Sequence, residues 1–480
     1  MNIRYVLSFL GVVLMVLAGA LLGLLGWSVY LEDEAASAGF AVAAFVAIVA
    51  GLLMRLLGKS SGDLYRREGV LIVVGSWFLA SVIGAIPYLV SGVLPNPVDA
   101  LFESASGFTT TGATVLQNIE AAGHPILLWR SFSQWLGGIG IVVLFVALLS
   151  ELGPGARFLF KLEVPGPRAE VLHAHVRDTA AALARIYLVL TVTELLALLA
   201  CGLSFFDALT TTFSTVATGG FSPHSESISA FSTLAQIIVL VFMIASGVNF
   251  SLYLVASRVR NASAFRDFEF KVYLTTILLF SVGVAAVLLQ DTSRDLFSTF
   301  LHAAFQVTSI LTTTGFTTTD FAAWPTFACS MLVFLMVFGG CAGSTSGGLK
   351  IVRGIIGWKA VFREVRLTFS PNSVIAVVIQ RAAVPEESVR SVVALLLLWL
   401  LAWGVGAVLL SAGDVDIVTA ASASIAMVSN IGPALGAAGP TENYFHFAAW
   451  QKLLMVFLMW CGRLEFFALM ALFQRRFWQK

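Results

Sequence analysis

Long apolar runs alternate with short polar dips along this chain, and four of the dips carry nearly the same phrase. Ten runs long enough to cross a bilayer can be drawn, at about 5–30, 38–57, 70–93, 126–150, 183–203, 233–257, 272–290, 326–363, 388–412 and 448–473. A spanning helix needs roughly 20 apolar residues, so run length carries more information here than helical periodicity. The first run is too long for a signal peptide, has no evident small-residue cleavage site, and predicts a retained helix. The eighth is interrupted by glycines.

The repeated phrases are Thr109-Thr110-Thr111-Gly112-Ala113, Ala217-Thr218-Gly219-Gly220-Phe221, Thr312-Thr313-Thr314-Gly315-Phe316 and the looser Ser429-Asn430-Ile431-Gly432-Pro433. Before each lies a segment too short to cross with its loop attached: 98–109, 205–217, 295–311 and 414–428. Asp99, Asp207, Asp295 and Asp416 sit at or near their starts, as helix caps do. These segments predict re-entrant pore helices. Small-residue motifs follow at matched distances: Gly137-Gly138, Ser246-Gly247, Gly339-Gly340 and Cys461-Gly462. The offsets from loop glycine to small pair are 26, 27, 25 and 30 residues (112 to 138, 220 to 247, 315 to 340, 432 to 462). Glycine pairs in membrane helices often mean only close packing, but their recurrence favours an internal repeat. The expected fold is all-α and integral to the membrane. Four tandem helix–pore-loop–helix repeats surround a central pseudo-four-fold pore, preceded by two extra N-terminal transmembrane helices. The boundaries are 1–60 for the extra helices, 61–155 for repeat 1, 156–262 for repeat 2, 263–370 for repeat 3 with its interrupted second helix, and 371–480 for repeat 4.

Composition agrees: 58% of the 480 residues are hydrophobic and 11% charged, against about 25% charged in soluble domains. Net charge is only +1, yet its distribution is sided. Arg55, Lys59, Arg66 and Arg67, then Arg157, Lys161, Arg168 and Arg177, Arg258, Arg260, Arg266 and Lys271, the set Lys350, Arg353, Lys359, Arg363, Arg366 and Arg381, and finally Arg475, Arg476 and Lys480 fall on one side of a ten-span chain. The positive-inside rule makes that side cytoplasmic, with both termini inside. The other side carries Glu32, Asp33, Glu34, Asp99, Glu103, Glu120, Asp207, Glu226, Asp291, Asp295, Asp320, Asp414, Asp416 and Glu442, with Arg294 its clearest base. Ordinary solvated loops account for such acids equally well, though their sign suits cation entry. Cys201, Cys329, Cys341 and Cys461 lie in apolar segments with no zinc or redox spacing and read as packing residues.

Non-helical backbone at membrane depth survives only where protein shields it or it lines water. Its carbonyls can replace an ion's hydration shell, and glycine permits the backbone angles that aim them. Thr and Ser hydroxyls either add ligands or hold the loop. An all-oxygen site suits a hard cation. No carboxylate lies within the four phrases, which favours a monovalent ion.

With these loops, the run Gly339-Gly340-Cys341-Ala342-Gly343-Ser344-Thr345-Ser346-Gly347-Gly348-Leu349-Lys350 and the run Cys461-Gly462-Arg463-Leu464-Glu465, the chain from about residue 70 onward resembles the Trk/Ktr/HKT superfamily of potassium transporters, in its TrkH-type branch. The resemblance implies a potassium selectivity filter at Thr110, Thr111, Gly112, Thr218, Gly219, Gly220, Thr313, Thr314, Gly315, Asn430, Ile431 and Gly432. Potassium would be contacted at Thr111, Gly112, Gly220, Thr314, Gly315, Ile431 and Gly432. Related transporters that pass sodium often carry Ser at the position of Gly112. The resemblance also implies a gate below the filter: Gly339, Gly340, Cys341, Ala342, Gly343, Ser344, Thr345, Ser346, Gly347, Gly348, Lys350 and Arg463. Five glycines within 339–350 cannot make a stable helix, and the alternative to an intramembrane loop is a kink between two packed half-helices. Lys350 either snorkels to the cytoplasmic surface or pairs locally. Arg463 is a costly mid-span cation, roughly 2.5–3.5 kcal/mol on insertion scales, so it must face the interior or water. Glu465, two residues on, is a poor helix-face partner for it. Glu194 is a second intramembrane acid without an assigned role.

The resemblance further implies a homodimer in a bacterial inner membrane and a cytosolic TrkA-like ring that binds NAD or adenine nucleotides; the chain itself has no Gly-x-Gly-x-x-Gly after a strand. An intramembrane hydrolase is disfavoured: Ser344 and Ser346 have no Gly-x-Ser-x-Gly context and no histidine placed beside them, His302 included. A secondary carrier built on inverted repeats is disfavoured because these repeats run the same way. A sodium-coupled potassium symporter stays open.

Overall fold

The computed structural model describes residues 1–58, 66–151, 176–259, 266–291, 295–380 and 382–479. Lys59, Arg157, Lys161, Arg168, Arg260, Arg294, Arg381 and Lys480 of the sided charge pattern lie outside the described residues. Two helices, α1 (Ile3–Tyr30) and α2 (Glu34–Leu57), form a hairpin that leans on the first helix of repeat 1. Repeat 1 comprises α3 (Arg66–Val90), the short α4 (Pro97–Phe108) and α5 (His124–Glu151). Repeat 2 comprises α6 (Val176–Ala200), α7 (Phe205–Val216), and a second span divided into α8 (Thr233–Ser246) and α9 (Phe250–Val259). Repeat 3 comprises α10 (Phe268–Leu288), α11 (Leu296–Leu311), α12 (Thr326–Leu335) and α13 (Ile351–Phe369). A small hairpin, β1 (Val378–Ile379) with β2 (Ala382–Ala383), leads to repeat 4: α14 (Glu386–Ser411), α15 (Ile417–Ser429), α16 (Ala449–Arg463), α17 (Phe467–Leu472) and α18 (Arg475–Trp478). Six described helices, α1, α2, α3, α6, α10 and α14, are long and apolar enough to cross a membrane, and the α8–α9 pair makes a seventh if counted as one span.

Each repeat packs its short helix against its own first helix: α4 on α3, α7 on α6, α11 on α10, α15 on α14. The second helix then leans on the next repeat's short helix, α5 on α7 and α8 on α11, while α16 packs on α4 and closes the ring from repeat 4 to repeat 1. The four short helices are buried along most of their length, because they hang inside a wall of longer ones. Their starts are capped, but not always by the expected acids. Asp295 and Asp416 do accept amide hydrogens from Ser298, and from Val418 and Thr419, at 2.9–3.0 Å. Asn96 caps α4 and Ser204 caps α7 instead. Asp99 is thereby free to accept from Lys452 Nζ at 2.6 Å, an ion pair buried between α4 and α16.

Two sequence expectations need correction. The second spans of repeats 2 and 4 are broken as well as that of repeat 3. The α8–α9 pair bends by 88°, and α16 stops at Arg463, where Glu465 and Phe466 take φ of 57° and 54°. All three breaks fall within a few residues of the small-residue motifs, where helix propensity is weakest. The acidic face is also thinner than the sequence suggested, since Asp99 and Glu103 are buried in ion pairs. Of the cysteines, Cys329, Cys341 and Cys461 are buried as expected, while Cys201 is half-exposed.

Lys452→Met strands Asp99 as an unpaired buried acid, which should cost about 3–5 kcal/mol. Thermal unfolding of the detergent-solubilised protein should fall further for this variant than for the double variant Asp99→Leu/Lys452→Met. Equal or smaller loss in the single variant would show that the pair does not bind repeat 4 to repeat 1.

Candidate functional site: a ring of glycine loops over an intramembrane loop

Each short helix ends with the same backbone turn. The residue two before the loop glycine has left-handed geometry: Thr110 (φ 53°), Thr218 (53°), Thr313 (56°) and Asn430 (56°). The next amide returns to a carbonyl five residues earlier: Thr111 to Ser106, Gly219 to Ser214, Thr314 to Ser309 at 2.8 Å, and Ile431 to Ala426 at 2.9 Å. This is the Schellman type of helix ending. Asn430 therefore does the conformational work of the threonines, and the fourth loop is geometrically regular despite its different wording. The helix C-termini, with their partial negative charge, end at the ring.

The loop glycines follow with φ of 80° (Gly112), 77° (Gly220), 84° (Gly315) and 94° (Gly432). A Cβ on Gly112 would lie 2.1 Å from the Gly219 carbonyl oxygen, on Gly220 2.0 Å from that of Thr314, on Gly315 2.0 Å from that of Ile431, and on Gly432 2.6 Å from that of Thr111. Each loop thus abuts the next in cyclic order, 1 to 2 to 3 to 4 to 1. Positive φ and contact with a neighbouring carbonyl both exclude a side chain here. All four glycines line one mouth of ≈ 100 Å³, with Arg130, His224, Glu442 and Tyr444 on its walls.

The sequence did not reveal what braces this ring. Glu103, on α4, accepts from Arg130 Nε at 2.8 Å and from the Val115 amide at 2.9 Å, with Thr114 Oγ1 also in contact. Arg130 also donates to the Ser222 carbonyl and stacks over Phe221, joining repeat 1 to repeat 2. Gln134 donates to the Gly219 carbonyl at 2.6 Å and accepts from the Phe221 amide at 3.1 Å, clamping the second loop on both sides of Gly220. Gly219 has no Cβ because Gln134 occupies that space. Tyr444 donates to the Gly432 carbonyl and, by its own amide, to the Thr114 carbonyl, joining repeat 4 to repeat 1. Threonine hydroxyls mostly hold loops: Thr111 Oγ1 contacts Thr109 Oγ1 and accepts from Asn430 Nδ2, and Thr314 Oγ1 contacts Thr312 Oγ1. Only the charge of Arg130 and Glu103 inside or beside apolar runs hinted at such roles.

Beneath the ring lies the glycine-rich segment after α12. It is a non-helical loop rather than a kink. Its base closes where the Gly339 amide donates to the Leu349 carbonyl (2.8 Å) and the Ile351 amide to the Gly340 carbonyl (3.3 Å). The Cys341 amide donates to the Gly247 carbonyl, and the Gly343 carbonyl accepts from the Phe250 amide, so the loop docks on the bend of repeat 2. Thr345 Oγ1 reaches the Val216 and Ser246 carbonyls at 3.1 and 3.2 Å. The Gly347 amide donates to Thr313 Oγ1 at 2.6 Å, directly under the third glycine loop. Gly347 also lies against the Ser429 carbonyl and Asn430 of repeat 4. The loop therefore touches the inner ends of three quadrants.

Arg463 supplies the fourth. It is 3% exposed and donates to the Thr345 carbonyl at 2.8 Å and the Gly137 carbonyl of repeat 1 at 3.3 Å. Glu465 does not pair with Arg463; it pairs instead with Arg353 at 2.9 Å. Lys350 does not snorkel; it is buried and donates back to the Ser346 carbonyl. Ser344 donates to the Cys341 carbonyl, and His302 contacts Thr318 by the separate cavity beside α11, so neither forms a nucleophile–base pair. Glu194 is fully buried, with Thr215 beside its carboxylate. No group of three or more metal-ligating side chains occurs among the described residues.

Four pore loops closed into one ring by a single polypeptide define a pore-loop membrane transporter, not an enzyme. The comparisons with known proteins agree. A profile of the TrkH family, described as a cation transport protein, matches residues 36–480. The Trk system potassium uptake protein TrkH of Halomonas elongata is 39% identical over the whole of both chains, and that of Escherichia coli K12 is 35% identical, also over the whole of both. The crystal structure of the potassium transporter TrkH from Vibrio parahaemolyticus superposes with a TM-score of 0.90 at 33% identity, covering all of both chains. The chain belongs to the TrkH family of cation transport proteins.

Gly220→Ala should cut cation flux by roughly tenfold or more, because overpacking and positive-φ strain each cost 1 kcal/mol or more. Gly404→Ala, where a Cβ meets nothing within 4 Å, should leave flux unchanged. Matched fluxes in liposomes for the two variants would argue that the ring contacts do not shape the pathway.

Proposed function

We propose that this chain takes up potassium across a bacterial inner membrane through the axis of the glycine ring, with the loop between α12 and α13 as its gate. The cyclic contact of each loop glycine with the next loop's carbonyl carries this reading. It brings the carbonyls of Thr111, Gly219, Thr314 and Ile431 together with Gly112, Gly220, Gly315 and Gly432 at one level. A ring of carbonyl oxygens can stand in for the water around a dehydrated potassium ion. Gly219 joins the ligand set that the sequence suggested. Since most loop hydroxyls are engaged in holding the loops, backbone oxygens are the filter ligands, and the absence of a carboxylate in the ring suits a monovalent ion.

Below the ring, the guanidinium of Arg463 sits in the path as a positive barrier, tied to the gate by Thr345. A cation leaving the filter meets this charge at low dielectric, where repulsion is strong. Opening requires the loop to leave its seat and Arg463 to lose the Thr345 carbonyl while keeping that of Gly137. The relatives in Halomonas elongata and Escherichia coli, potassium uptake proteins of the Trk system, support the choice of ion. The sided basic residues put both termini in the cytoplasm, and the family resemblance implies a homodimer. A TrkA-like cytosolic ring brings NAD or adenine nucleotide control to the basic inner loops.

Rubidium and sodium uptake into liposomes holding the purified chain tests the filter. Wild type should admit rubidium and exclude sodium, and Gly315→Ser should lose that exclusion. No rubidium flux under any gradient, with the cytosolic partner added, would favour the carrier reading. Arg463→Ala should raise resting rubidium flux; unchanged flux and closure would remove the arginine from the barrier.

A further inference from the structure

We infer that Glu269 is the latch that keeps the intramembrane loop seated, a positioning residue for the ion pathway; this rests on the loop's being the gate. Glu269 is the second residue of α10, the first helix of repeat 3, and is buried. An acid in a first helical turn ordinarily serves that helix's own free amides. Here Asp267 already does so, accepting from the Phe270 amide at 3.0 Å. The Glu269 carboxylate turns away from its own helix. Its Oε1 accepts from the Ala342 amide at 2.8 Å and from the Val352 amide at 3.2 Å.

Those two amides belong to the two feet of the loop. Ala342 lies on the limb that leaves α12, and Val352 lies in the first turn of α13, where amides have no helical acceptor. Hydrogen bonds to a carboxylate are stronger than those between neutral groups. One side chain therefore fastens both limbs to a helix that is not part of the loop. The tip is held separately, by Thr313, the Val216 and Ser246 carbonyls and Arg463. Freeing the tip alone leaves the feet in place. For the loop to swing aside, α13 must shift against the limb at Ala342, and the carboxylate must release one amide or both.

The surroundings give the latch a handle. Asp267 accepts from Gln380 Nε2 at 2.6 Å, in the turn between β1 and β2. That hairpin joins α13 to α14. Hence the three residues Asp267, Phe268 and Glu269 connect the segment beyond α13 on one side with the loop's feet on the other. A pull on that segment reaches the latch before it reaches the tip.

The test uses the full chain in liposomes with no partner present, and reads resting rubidium flux and the rubidium-to-sodium ratio. Glu269→Ala should raise resting rubidium flux roughly three- to tenfold, as loss of a hydrogen bond predicts, with the ion ratio unchanged because the glycine ring is intact. Glu269→Gln keeps the size and an acceptor oxygen and should give a smaller rise. If the alanine variant does not fold, the glutamine variant decides, and flux at or below wild type overturns the latch. A rise in sodium equal to that in rubidium also overturns it, since that is a collapsed pore. A chain with residues 343–346 deleted separates the two ideas. If the deletion raises flux and neither Glu269 variant does, the latch is wrong and the gate stands. If the deletion leaves flux unchanged, the gate falls and the latch with it.

Discussion

The structure depends on one close approach: the backbone of each loop glycine lies where a side chain would strike the carbonyl of the next loop. This contact has to be made four times, by four stretches of one chain, and each must arrive at the same depth. Much else can be understood as the means of delivering them. Capped short helices bring each loop to the others. Their shared helix ending turns the chain sharply enough for the glycine to present its bare face. Long first helices form the wall that shields this irregular backbone from lipid, where unpaired amides and carbonyls would be untenable.

Holding the ring closed falls to polar side chains that cross between repeats. Arg130 with Glu103, Gln134, Tyr444, and Asp99 with Lys452 each tie one quadrant to the next or brace a loop from behind. Buried ion pairs contribute little net stability compared with well-packed apolar groups, but their geometry is demanding. That suits a structure in which register between distant segments matters more than total stability. The Asp99–Lys452 contact spans a sequence separation of 353 residues in a chain of 480, and sits where repeat 4 meets repeat 1.

What was legible in the sequence was local and repeated. The glycine loops, the short helices before them and the small-residue motifs all lie within a few residues of their own signal, and they occur four times. Arg463 was legible for another reason, since a lone cation in an apolar run must be accounted for. The braces were not legible, because a Gln in a span or an Arg near its start acquires meaning only from a partner about a hundred residues away. The bend at Gly247 and the turn after Arg463 were read as helix for the same reason. Apolar length said that those segments cross, whereas the loop that docks against them decides where they break. The caps show the limit of composition: Asp99 sits where a cap should, but Asn96 takes that role and leaves the acid for Lys452.

A pore assembled from four identical subunits repeats every substitution four times around its axis. Here the quadrants are covalently joined and free to differ. Among the described residues, only repeat 3 carries the long loop under the ring, only repeat 4 places an arginine there, and only the second loop is clamped by a Gln. A single genetic change can therefore alter one quadrant while three keep their inherited geometry. The chain can acquire an off-axis device, or lose one, without redesigning the axis itself.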